Sequence, residues 1–220
     1  MSIVTLSTDA SGAAQAAQAG QVVVIVDLID FSTTAEAVLE AGARAFWGAA
    51  PDSSRPPVPV NPFAQGKKAG ELALQYQTQV IAVSEPRWGS SAEQAAYAAQ
   101  ALAGVRASGA MVENILPNCG AGIVHLADFN NKVVLGITAT GGTAFDAAAC
   151  AKAPAILTAT IARTAGKKGR RPAQISMERA VKAARSLKTG LTIVAASANS
   201  LEDMLAAEYL FKLAVELWRQ

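Results

Sequence analysis

The apolar positions along this chain fall into short runs set between longer stretches of helical periodicity. Residues Val22–Val26 are an unbroken β-branched run, which predicts a strand buried on both faces. The chain then turns polar at Asp27 and Asp30. It passes through Ser32, Thr33 and Thr34 into a helical pattern that stops at Gly42. Thr33 and Glu36 have the spacing of a capping box, which predicts a helix entered at Thr33. The same alternation recurs to the end of the chain. Strands are predicted at 3–6, 43–48, 79–84, 111–116, 133–138, 155–161 and 191–196. Helices are predicted at 10–19, from Asn61-Pro62 to about 77, from the Ser90/Glu93 capping box to about 102, from Thr143 to about 151, at 173–188, and from Ser200 to 217. Residues 51–62 hold five prolines and predict a loop, and 117–122 is a turn-rich connection. Strands alternating with helices over residues 1–220 predict a single-domain α/β fold, three-layer α/β/α, with a largely parallel or mixed sheet. Phe211 and Trp218 on the last helix are candidates for the core or for a subunit interface in a homo-oligomer.

Composition narrows the class of protein. A hydrophobic fraction of 51% in 220 residues suffices for one large core. The net charge of +2 favours neither nucleic acid nor its absence. The basic run at 167–171 reads as a solvated loop, so no nucleic-acid partner is expected. Cys119 and Cys150 have neither metal-binding spacing nor a disulfide framework, which predicts a reducing, cytoplasmic setting. The first residues lack a basic segment followed by an apolar run, so no signal peptide is expected. The run Val22–Val26 is too short to span a bilayer, and no membrane association is expected.

Candidate chemistry collects where predicted strands end. Asp27 and Asp30 follow a central strand, the place where open α/β sheets hold ligands. Carboxylate oxygens there suit a hard cation such as Mg²⁺, and they also suit the plain role of satisfying turn amides. Glu85 and Arg87 end another strand, as a ligand and oxyanion clamp or as a salt bridge. The small-residue segment from Thr138 to Thr143 offers backbone N–H groups to an anion or gives tight helix–sheet packing. It is neither a P-loop nor a dinucleotide fingerprint. Glu202 and Asp203 sit in a first helical turn, where capping alone accounts for acids. Cys119 has His125 six residues on, where a cysteine phosphatase needs arginine. Asp27 and Asp30 lack the D-x-D spacing of aspartyl phosphatases.

Taken together, these segments resemble the 2-phosphosulfolactate phosphatase family. Its I-D-V-L-R-A-[ST]-T-T motif is similar to Val26-Asp-Leu-Ile-Asp-Phe-Ser-Thr-Thr34, and its E-x-G-A to Glu40-Ala-Gly-Ala43. Its T-T-N-G-T-R-A is similar to Thr138-Ala-Thr-Gly-Gly-Thr-Ala144, its G-E-R to Ser84-Glu-Pro-Arg87, and its S-L-E-D-x-x-x-A to Ser200-Leu-Glu-Asp-Met-Leu-Ala-Ala207. The resemblance implies a Mg²⁺-dependent phosphatase acting on a small anionic substrate, in a family associated with coenzyme M biosynthesis. It implies Asp27, Glu85 and Asp203 as catalytic groups, and Asp27, Glu85, Glu202 and Asp203 around the metal. Ser32, Thr33, Arg87, Thr140, Gly142 and Thr143 would contact substrate, with positive charge from Arg87 and the 167–171 loop. Asp30 and Ala144 stand where the family has arginines, and Gly141 where it has asparagine. A homologue that binds an anionic metabolite without turnover is the alternative that these departures motivate.

Overall fold

The computed structural model describes residues 3–219. Its strands are β1 (Val4–Thr8), β2 (Val22–Val26), β3 (Ala45–Ala49), β4 (Val80–Ser84), β5 (Val112–Pro117), β6 (Val133–Ile137), β7 (Ile156–Thr158) and β8 (Leu191–Ala195). Its helices are α1 (Asp9–Gln18), α2 (Phe31–Glu40), α3 (Pro62–Gln75), α4 (Ser91–Tyr97), α5 (Ala99–Ala107), α6 (Gly141–Cys150), α7 (Arg171–Ser186) and α8 (Leu201–Trp218). The strands form two four-stranded sheets, ordered β1-β8-β2-β7 and β3-β6-β4-β5. Every pairing is parallel.

Side-chain alternation explains the layering. Val22, Val24 and Val26 face the cluster built with α7 and α8, while Val23 and Ile25 face α1, α2 and α6. In the second sheet Val80, Ala82, Val133 and Leu135 face α3 and α5, and Ile81, Val83 and Val134 face α2. Each sheet is thus the centre of an α/β/α sandwich, and α2 and α6 serve both. All five β2 residues are fully buried, which is why that strand reads as a continuous apolar run. Each such side chain contributes roughly 1.5–3 kcal/mol by leaving water.

Several boundaries differ from expectation for physical reasons. Helix α2 begins at Phe31, because Asp30 at φ 106° turns the chain there. The Thr33/Glu36 capping box is not formed, since Glu36 is buried and its carboxylate takes Arg179 and the Thr158 hydroxyl. The Ser90/Glu93 box is present, but the helix behind it breaks at Ala98 into α4 and α5. Strand β7 is only three residues long, and the Thr158 and Thr160 hydroxyls at its end bond to Glu36 and Thr33. Phe211 and Trp218 pack against the outer core of the first sheet. Among the described residues, no helix is long and apolar enough to cross a membrane.

Candidate functional site

Parallel strands all deliver their carboxyl ends to the same edge of a sheet, and the expected site residues follow those ends. Ser32 is fully buried beneath the turn after β2. Its hydroxyl accepts from the Asp27 amide at 2.9 Å and donates to the Ile25 carbonyl at 2.8 Å. Thr33 donates to the Leu28 carbonyl at 2.7 Å and meets the Thr160 hydroxyl at 2.9 Å. These two hydroxyls brace the turn that presents Asp27.

Asp27 is 4% exposed and lies between β2 and the start of α6. Its Oδ2 accepts from the Thr140 hydroxyl at 2.7 Å and from the Gly141 amide at 2.8 Å. Among the described residues no donor bonds its Oδ1. Burial pushes its pKa up to about 7. The bonds from Thr140 and Gly141 oppose that rise, and the charges of Asp203 and Asp30 add to it. Asp203 is itself buried, and its Oδ1 accepts from the Leu28 amide at 2.8 Å. Burial raises its pKa too, against the pull of that bond.

The α6 entrance is tightly packed rather than open. A Cβ at Gly142 would lie 2.2 Å from the Ala49 carbonyl oxygen, and one at Gly141 would lie 2.7 Å from Asp27 Oδ2. Only glycine allows this approach. The first amides of α6 are all committed: Gly141 to Asp27, Gly142 to the Thr138 hydroxyl, Thr143 to the Thr138 carbonyl. The first turn of α6 therefore has no amide left for an anion. Ala144 is fully buried in an apolar cluster with Phe31 and Phe145. Phe31 also packs edge-on against Phe46 and Phe145. Aromatic rings fill the space an arginine at 144 would need.

Glu85, Arg87 and Asp30 meet at a separate cleft of about 480 Å³, with Tyr97 and Asn118. Arg87 pairs with Asp30 through Nη2 and donates from Nε to the Asn118 carbonyl at 3.0 Å. The Tyr97 hydroxyl donates to Glu85 Oε2 at 2.7 Å. Burial and that carboxylate hold the phenol well above its ordinary pKa, while a bond from the Ala139 amide lowers it. Ala139 lies one residue before Thr140, so the two halves of the site flank the same loop. Glu202 is exposed and its Oε2 accepts from Ser200 at 3.2 Å. In the basic loop, Lys167 pairs with Glu40, and Arg170 donates to the Tyr209 hydroxyl at 3.1 Å.

These placements decide how well the residues fit the expected cation. Asp27 and Asp203 are electrostatic neighbours, Glu85 is turned to Tyr97, and Glu202 serves the α8 cap. Among the described residues no group of three or more His, Cys, Asp or Glu side chains is gathered to hold a metal ion. The expected Mg²⁺ set of Asp27, Glu85, Glu202 and Asp203 does not fit as a single coordination sphere.

Thr140 and Thr143, by contrast, line a second cleft of about 480 Å³ together with Asp9, Ser11, Ser54, Arg55 and Ser197. Sequence reasoning missed Arg55 and Ser54, which lie in the proline-rich segment, and Tyr97. One signal pointed there: Asp146, the only charged residue of α6, sits in an otherwise apolar helix. It is fully buried and anchors the segment's ends by accepting from the Ala50 and Asn61 amides.

The fold and site define a parallel α/β protein with a buried, near-neutral carboxyl group at its strand ends. No family model matches the chain, and no curated protein matches it.

Proposed function

We propose that this protein is a phosphatase-like hydrolase acting on a small phosphorylated acid, built on the plan of the 2-phosphosulfolactate phosphatases. The observation that carries the reading is Asp27, buried with a pKa pushed up to about 7 and bonded to Thr140, which itself lines the cleft. Such a carboxyl group is both acid and base near neutrality. In the hydrolysis, water attacks phosphorus and the ester P–O bond breaks. The protonated Asp27 gives its proton to the departing alkoxide, so the alcohol leaves neutral. The carboxylate left behind is held by the Thr140 hydroxyl and the Gly141 amide, and a proton from the attacking water restores it. Thr140, exposed at the cleft, orients Asp27, and burial keeps its pKa high, with the charge of Asp203 adding to it. The four expected metal ligands are dispersed rather than gathered around one position.

Phosphate release from a panel of phosphorylated carboxylic acids, run with Mg²⁺ and with EDTA, tests the reading. Asp27→Asn is expected to lower kcat by about 10²- to 10⁴-fold. Activity is expected to decline as pH rises past about 7, where Asp27 loses its proton. No release from any substrate under either condition, or full activity in Asp27→Asn, overturns it.

A second reading is a protein that binds an anionic metabolite without turnover. The pairing of Arg87 with Asp30 favours it, since that arginine's charge is already neutralised. Calorimetric titration showing tight binding of a phosphorylated acid with no turnover would establish it over the first.

A further inference from the structure

Arg87 and Arg55 both lie beside clefts at the strand ends, and among the described residues Arg55 has donors to spare. Arg87 is paired with Asp30 and also bonds the Asn118 carbonyl. Arg55 has no carboxylate partner among the described residues. Its Nη1 donates to the carbonyls of Asp52 at 2.7 Å and Ser54 at 2.6 Å. That bracing fixes the guanidinium against its own loop and leaves Nε and Nη2 without protein acceptors among the described residues.

The loop itself is held in place. Asp146 accepts from the Ala50 amide at 3.1 Å and from the Asn61 amide at 2.8 Å, so one carboxylate pins both ends. Gln65 adds a third bond to it at 3.1 Å. Between those ends, Asp52 Oδ1 accepts from the Gln100 amide at 3.0 Å, and Ser54 meets the Thr143 hydroxyl at 3.0 Å. Prolines 51, 56, 57 and 59 further restrict the backbone. Arg55 therefore reaches the cleft from a preorganised strap, and little entropy is lost when it grips a ligand.

The rest of the cleft suits an anion. Ser11, Ser54, Thr143 and Ser197 contribute hydroxyls. No side chain caps the start of α1, whose Ala10 and Ser11 also line the cleft. The one acid there, Asp9, accepts from the Thr8 hydroxyl at 2.8 Å and the Ala198 amide at 3.0 Å. Because the first α6 amides are committed elsewhere, Arg55 is the charged donor with capacity to spare.

We infer that Arg55, carried on the pinned 51–60 strap, is the clamp of a phosphate-binding subsite formed with Ser11, Ser54 and Thr143. This rests on the hydrolase reading only in taking the bound group for the scissile phosphoryl group. A guanidinium takes two phosphate oxygens in parallel, which an ammonium does not.

Calorimetric titration of the whole protein with inorganic phosphate, at ionic strength matched with sodium chloride, tests it. Wild type is expected to bind at millimolar or lower phosphate. Arg55→Gln is expected to weaken binding about tenfold or more, and Arg55→Lys to recover only part of that loss. Asp27→Asn is expected to keep phosphate binding while losing turnover, so failure of the hydrolase reading and failure of the clamp give different results. Arg55 is exposed, and matching circular dichroism of the variants would show the fold intact. Phosphate binding unchanged in Arg55→Gln, or absent from wild type, overturns the inference.

Discussion

At the residue scale, Asp27 links stability to pH in a definite direction. Its pKa rises from 3.8 to about 7 on folding, so the native state holds the proton more tightly than the unfolded chain does. Stability from this group is full below about pH 4 and is lost as pH climbs to about 7, after which the loss is constant. The full swing is on the order of 4 kcal/mol. Asp27→Asn keeps an acceptor for Thr140 and Gly141 and removes the ionisation. Its urea-denaturation midpoint is expected to exceed wild type most at pH 8, with the advantage fading towards pH 4. A stabilisation independent of pH, or a variant weaker than wild type at pH 8, would show that Asp27 is not destabilised as a buried anion. A residue whose ionised form costs stability and whose proton sits near neutrality is what a catalytic acid requires.

At the element scale, α6 acts as the bracket between sheet and strap. Asp146→Ala strips acceptors from the Ala50 and Asn61 amides and from Gln65 Nε2. Each orphaned donor costs roughly 1–3 kcal/mol if it stays buried. The variant is expected to lose several kcal/mol in urea denaturation, with Asp146→Asn losing less because it keeps one acceptor. Equal stability of Asp146→Ala and wild type would mean the strap is held by its prolines alone. The same helix shows what the sequence reveals and what it hides. Strand β2 was legible because burial on both faces leaves an uninterrupted apolar run. Asn61, Ser90 and Ser200 were legible as caps because each accepts from the amide three residues on. Thr33 and Glu36 mimicked a cap while serving the interior, since spacing alone does not say which way a side chain points. The pinning of residues 51–60 was hidden, because it depends on Asp146, 85 residues beyond Asn61 and 96 beyond Ala50, and on no local pattern. The division into two sheets was hidden for a related reason: alternation specifies the faces of a strand but not its neighbours.

At the scale of the whole molecule, the site spans both sheets. Asp27 belongs to the first sheet, while Thr140 and Glu85 follow strands of the second. The second sheet draws on residues 45–137, a contiguous stretch of sequence. The first places β8 between β1 and β2, pairing Val4 with Leu191 and Val22 with Leu191. Loop-closure entropy makes such distant pairings late events. Ile193→Val in β8 is expected to speed unfolding and leave refolding unchanged, and Ile81→Val in β4 to slow refolding. Each costs about 1 kcal/mol at equilibrium. Equal slowing of refolding by both would reverse the assigned order.

The insertion of β8 has a further consequence for the cell that makes the protein. Ribosomes add roughly 5–20 residues per second, so the Val22–Val26 strand emerges roughly ten to thirty seconds before the strand that must lie beside it. The other neighbour of β2, β7, is also late, so for most of that wait the chain presents its most β-prone apolar segment with both edges unpaired, the composition from which aggregates nucleate. Chaperone supply during synthesis is therefore expected to raise the yield of soluble protein, and a soluble yield unchanged by chaperone co-expression would count against this exposure.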